Sequence, residues 1–193
     1  METKKIVILL GHPDPHTFSG SLADVYQSGA EEAGHEVMRV NLGELNFDPI
    51  LHKGYKEIQE LEPDLLDLQE KIKWADHLVV VYPNWWCTMP ALLKGLFDRF
   101  WLPGFAFNFD KERQCLVKHL TGKTGQVIIV AGTHSPFKTW WKFGDFTNEI
   151  QHGILGFAGI KTKVSAYGPC EKVGESCKSN WLKEVENIGK RGL

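Results

Sequence analysis

Short apolar runs alternate along this chain with longer stretches in which apolar positions recur at helical spacing. Ile6 to Leu10, Glu36 to Asn41, His77 to Tyr82, Gln126 to Ala131 and Thr162 to Ala166 are strand-sized and rich in Val and Ile. Their apolar character predicts burial on both faces, as in a parallel sheet. Between them, Gly20 to Ala33, Leu61 to Trp74, Met89 to Trp101, Phe146 to Ala158 and Ser176 to Ile188 have a helical period, the third opening with Pro90. This rhythm predicts one α/β domain over residues 1–193, a five-stranded parallel sheet with helices on both faces. Two connections, Leu42 to Lys56 and Leu102 to Leu120, are long and irregular, a length usually reserved for function or for packing on a partner.

Such a sheet binds ligands beyond the carboxyl ends of its strands, which singles out Gly11 to Ser19, Pro83 to Met89 and Gly132 to Phe143. The first of these precedes a helix. Its Thr17 and Ser19 hydroxyls and the amides from Phe18 to Ser21 suit a phosphate that the helix dipole also favours, although Ser or Thr here also reads as an ordinary N-cap. Neither GxGxxG nor a Walker sequence is present. His12, Asp14 and His16 are candidate metal ligands, and His-Pro-Asp resembles the start of the zinc-dependent sugar deacetylase signature. The following Pro15-His16 breaks that signature and no later HxxH completes it, so no metal is expected.

The second exit, Tyr82-Pro83-Asn84-Trp85-Trp86-Cys87-Thr88-Met89-Pro90, carries adjacent indoles. Flat indoles and backbone amides at a crevice suit a planar heteroaromatic ring. The other reading packs Trp85 and Trp86 on the long connection or on a second subunit. No His or Asp at a recognisable spacing supports Cys87 as a nucleophile, and it reads as a small apolar residue.

Twenty-two basic against 24 acidic side chains leave a net charge of -2, no field for nucleic acid or anionic lipid. No apolar run approaches the about 18 residues of a membrane span. The apolar run after Lys4-Lys5 ends at Gly11, too soon for a signal peptide, so the cytoplasm is the expected compartment. Cys87, Cys115, Cys170 and Cys177 form no CxxC pair and are expected to stay thiols.

The chain resembles the flavodoxin-like NAD(P)H:quinone oxidoreductase family, the DT-diaphorase type with its bacterial drug-modulator and potassium-efflux ancillary relatives. The resemblance rests on the His12 loop with Thr17-Phe18-Ser19, on the run from Tyr82 to Gly95, on Gly104-Phe105-Ala106-Phe107 and on Gly153-Ile154-Leu155 with Phe157 and Gly159. It implies a flavodoxin-like three-layer sandwich, a tightly held flavin, a homodimer with the active site at the subunit interface, and ping-pong hydride transfer from NADH or NADPH through flavin N5 to a quinone-like acceptor. FAD is the flavin expected, with FMN the other candidate.

Carried over by the resemblance, His12, Thr17, Phe18 and Ser19 hold the flavin phosphate, and Pro83, Asn84, Trp85, Trp86 and Cys87 line the isoalloxazine edge. Ala131, Gly132, Thr133 and His134 face its pyrimidine end. Trp86, Phe105, Phe107 and Phe143 are the expected substrate walls. Mammalian members place a Tyr and a His after the third loop, whereas Phe143 occupies the His position here. His134, Lys138 or His152 takes over any proton handling. The rival readings are a regulatory flavoprotein subunit of a membrane transporter, an electron-carrier flavodoxin, whose usual acidic surface the near-neutral charge does not supply, and a zinc hydrolase built on His12, Asp14 and His16.

Overall fold

The computed structural model describes residues 2–193. Strands β1 (Lys5–Leu10), β2 (Glu36–Asn41), β3 (His77–Asn84), β6 (Thr124–Ala131) and β7 (Lys161–Tyr167) form one parallel sheet in the order β2-β1-β3-β6-β7. Because successive side chains of a strand point to opposite faces, β1 feeds two cores. Ile6, Ile8 and Leu10 pack with Leu22, Tyr26 and Ala30 of α1 (Phe18–Glu32) and with Val185 and Ile188 of α6 (Glu175–Lys190). Val7 and Leu9 pack with Leu65, Leu68 and Ile72 of α2 (Pro63–Trp74) and with Leu93, Leu96 and Phe100 of α3 (Ala91–Phe100). The result is the three-layer sandwich that the sequence predicts.

Burial on both faces holds for β1, β3 and β6 but not for β2 and β7. The last two are the edges of the sheet, and alternate residues of each meet solvent. The connection after Trp101 is not irregular throughout: Phe107–Asp110 and Cys115–Lys118 pair as an antiparallel hairpin, β4 and β5. A helix not anticipated, α4 (Pro136–Phe143), follows the third strand exit, with the Ser135 hydroxyl accepting from the Lys138 amide. The helix expected over Phe146 to Ala158 is a π-helical segment, Glu149–Leu155, running into the short α5 (Gly156–Ala158).

The connection between β2 and α2 is a strap across α3, held by one buried cation. The Arg99 guanidinium donates two bonds to the Glu62 carboxylate (3.1 and 3.0 Å), one to the Glu60 carbonyl (2.8 Å) and one to the Asp48 carbonyl. Its side chain is fully buried. The strap lies so close to α3 that a Cβ on Gly95 would sit 2.6 Å from the Pro49 carbonyl oxygen, and only glycine fits there. Burial by itself raises the Glu62 pKa, but the Arg99 fork and the Asp48 amide outweigh it and hold the carboxyl below its ordinary value. The stability from this depressed carboxyl is therefore present at neutral pH and is lost as pH falls through the folded-state pKa. Arg99→Met leaves Glu62 and two carbonyls without their donor, and urea denaturation at neutral pH should show a loss of about 3 kcal/mol. The gap between variant and parent should narrow below about pH 4, as Glu62 protonates.

Candidate functional site

The exits of β1, β3 and β6 leave the sheet at the same edge and enclose a cleft of about 750 Å³. Its size is that of a small-molecule site. Glu171 is the only side chain with a fixed charge among those lining it.

In the first exit, the Asp14 amide donates to His12 Nδ1 (2.9 Å) and the His16 amide donates to Asp14 Oδ1 (2.8 Å). The first bond makes Nδ1 an acceptor and puts the ring proton on Nε2. His12 lines the cleft, edge-on to Trp85 at 5.3 Å, whereas Asp14 and His16 do not line it. Among the described residues no group of three His, Cys, Asp or Glu side chains converges to hold a metal ion. Thr17 caps α1, its Oγ1 accepting from the Gly20 amide, and a Cβ on Gly20 would meet the Pro15 carbonyl oxygen at 1.8 Å. The opening amides of a helix have no partner within it. Those of Phe18 and Ser19 lie at the cleft, and the first turn carries no acid to compete for the dipole.

In the second exit, the chain reverses between Trp85 and Thr88, whose backbones exchange two hydrogen bonds (2.9 and 3.1 Å). Both residues at the tip are left-handed, Trp86 at φ 55° and Cys87 at φ 68°. Asn-Gly is the usual occupant of such a turn. The left-handed region costs an L residue about 1–2 kcal/mol, and each backbone bond returns about 1 kcal/mol net, so the turn barely holds itself. The Thr88 hydroxyl adds a bond of 2.5 Å to the Glu149 carboxylate of the π-helical segment. The bond is solvent-exposed, so its contribution is on the order of 1 kcal/mol. Trp86 stands 98% exposed at the lip, and the buried Asn84 Oδ1 below it has no partner within the described residues.

In the third exit, Ala131, Gly132, Thr133 and His134 all line the cleft. A fourth wall, overlooked in the sequence, comes from the exit of β7. The Cys170 amide donates to the Ala131 carbonyl (2.9 Å), the Glu171 amide to the Gly132 carbonyl (3.1 Å), and the Thr133 hydroxyl to Glu171 Oε2 (3.1 Å). Burial pushes the Cys170 thiol up to about 11, so it is protonated at neutral pH. Thr139 of α4 is also a wall residue that sequence reasoning missed. The β7 exit was open to the same strand-end rule. Glu149 had no such signal, because a turn and a helix far apart in sequence meet only in the fold.

The expected substrate walls divide. Trp86 and Phe143 line the cleft, Phe143 edge-on to His134 at 6.1 Å. Phe105 lies elsewhere, in the core against Phe100 and Trp101 at 5.9 and 5.6 Å, because the turn after α3 drives its ring inward. Phe107 faces Phe157 at 4.9 Å in a separate apolar groove of about 330 Å³. Lys138 does not line the cleft, and His152 is an exposed residue of the π-helical segment.

This donor set fits a flavin. It supplies uncompensated helix amides for a phosphate, an unsatisfied Asn84 acceptor for a ring N–H, turn amides for ring heteroatoms, and aromatic walls.

Residues 4–169 match the flavodoxin-like fold family, and the chain belongs to it. Among its relatives, the rat ribosyldihydronicotinamide dehydrogenase [quinone] is 27% identical over 98% of this chain and 94% of its own. The rat NAD(P)H dehydrogenase [quinone] 1 is 26% identical over 83% of this chain and 67% of its own. The crystal structure of Smu.1420 from Streptococcus mutans UA159 superposes with a TM-score of 0.82 at 26% identity, covering 96% of this chain and 98% of that one. The NAD(P)H:quinone oxidoreductase of Methanothermobacter marburgensis shares the fold, with a TM-score of 0.80 at 24% identity and 98% of each chain covered.

His134 is the cleft histidine whose pKa is shifted. Partial desolvation lowers its pKa, and Lys138, Lys142 and Lys172 lower it further. An NMR titration should place its midpoint below the usual value of about 6.5, and Lys142→Gln should move it back up.

Proposed function

We propose that the protein is a flavin-dependent NAD(P)H dehydrogenase that reduces quinones by a ping-pong cycle. FAD is its resident flavin and a cytoplasmic homodimer its working form. The observation that carries this reading is the convergence of three strand exits on one nearly uncharged cleft, with free helix amides at one end and the unsatisfied Asn84 acceptor at its floor. The two quinone-dehydrogenase relatives support it at about a quarter identity.

The chemistry that a flavin supplies when bound is hydride transfer through N5, from NADH or NADPH to a quinone-like acceptor. The Phe18 and Ser19 amides, the Ser19 hydroxyl and the Nε2–H of His12 hold the phosphate. Pro83, Asn84, Trp85, Trp86 and Cys87 border one edge of the ring. The backbone from Ala131 to His134 would supply donors to the pyrimidine end, which would stabilise negative charge there. Trp86 and Phe143 would exclude water once a second copy covers them. His134 would relay the proton that accompanies quinone reduction, taking it up from solvent as imidazolium and passing it to the acceptor oxygen, and Lys138 would act on it only through its charge. Trp86, Trp141 and Phe137 are 98%, 77% and 73% exposed, an apolar surface beside the cleft that a second copy would cover. The four free cysteines suit a reducing compartment.

The purified protein should be yellow, and chromatography of the chromophore released by heat should identify FAD. Failure to take up either FAD or FMN on reconstitution would overturn the proposal. Initial rates at several acceptor concentrations should give parallel double-reciprocal lines. Trp86→Ala should lower kcat/KM about tenfold, which is about 1.4 kcal/mol, and light scattering should report a dimer.

A further inference from the structure

We propose that Glu149 is a positioning residue for the cleft: by holding the Thr88 hydroxyl it keeps Trp86 and Cys87 in the left-handed conformation that aims their amides at the bound ring. The inference rests on the flavin reading for its consequence, but not for its geometry.

Neither tip residue is a glycine, and the two backbone bonds between Trp85 and Thr88 at most offset the strain. Within one chain the Trp86 ring gives the tip no packing to hold it, since it is almost wholly in solvent, and Cys87 is only half-buried. The additional restraint is the bond from Thr88 Oγ1 to Glu149 Oε2. The anchor is firm. The next residue, Ile150, is completely buried in the core, and Gln151 donates from Nε2 to the Thr162 carbonyl of β7 (2.9 Å). Among the described residues Glu149 forms no ion pair. Its acceptor is therefore spent on the turn rather than on a cation. The π-helical geometry of Glu149–Leu155 is a distortion that recurs at functional sites.

The test compares Glu149→Ala, Glu149→Gln, Thr88→Val, Thr88→Ser and the pair Glu149→Ala with Thr88→Val, each with and without Cys87→Gly, in the full chain. Hydrogen exchange of the Trp85 and Thr88 amides is read in the flavin-free protein, and flavin affinity by fluorescence titration with FAD and with FMN. Glu149→Ala and Thr88→Val should each speed exchange at these two amides and weaken flavin binding about tenfold, and together do no more than either alone. Glu149→Gln and Thr88→Ser, which keep an acceptor and a donor, should restore most of both. Cys87→Gly, which adopts the left-handed conformation freely, should shrink the Glu149→Ala defect. Unchanged exchange in both Glu149→Ala and Thr88→Val, additive defects, or a Cys87→Gly background that leaves the Glu149→Ala defect at full size would overturn the inference. A parent protein that binds no flavin would sink the proposed function, while the exchange measurements would still decide whether Glu149 holds the turn.

Discussion

Parallel pairing of β1, β3 and β6 is the constraint on which the molecule depends. Ile8 lies beside Val79, and Val79 beside Gln126, so all three strands run out at one edge in step. The chain leaving β1 crosses to the face of α1, whereas the chain leaving β3 crosses to the opposite face with α3, and the cleft opens where these neighbouring connections part. The two apolar cores fix this register, since slipping any central strand by one residue would exchange its two buried faces.

The cleft that results is made of backbone as much as of side chains. Helix amides open at one end, left-handed turn amides along one side, and the loop after β6 closes the other. Such groups are prepositioned dipoles, which stabilise charge appearing on a ligand without having to reorganise. The arrangement is costly where it departs from easy conformations, at Trp86 and Cys87, and the Trp86 ring there stands in solvent. The Thr88–Glu149 bond ties this turn to a segment 61 residues further along the chain.

The central strands were legible because burial on both faces leaves an unbroken apolar run. The edge strands β2 and β7 were legible in position but not in environment, since composition does not say which strand has only one neighbour. Helix α4 escaped because its large residues, Phe137, Trp140, Trp141 and Phe143, are exposed and only Thr139 is buried, so no apolar stripe marks an inward face. The hairpin β4–β5 escaped because four-residue strands are too short for a period to stand out. In the candidate site, the three loops could be read from strand ends and motif spacing, and every residue assigned to them for cofactor binding lines the cleft. Phe105 and Phe107 could not be placed in this way, because one bend after Trp101 decides whether a ring enters the core or the crevice.

The entrance of α1 presents its free amides to a cleft whose lining holds no lysine or arginine. Attraction between separated full charges fades as dissolved ions accumulate around them, with a range of about 8 Å at physiological ionic strength. Amides at a helix terminus act at contact distance through hydrogen bonds instead. On the proposed reading, a phosphate seated there would be recognised by the geometry of its donors rather than by a neutralising side-chain charge.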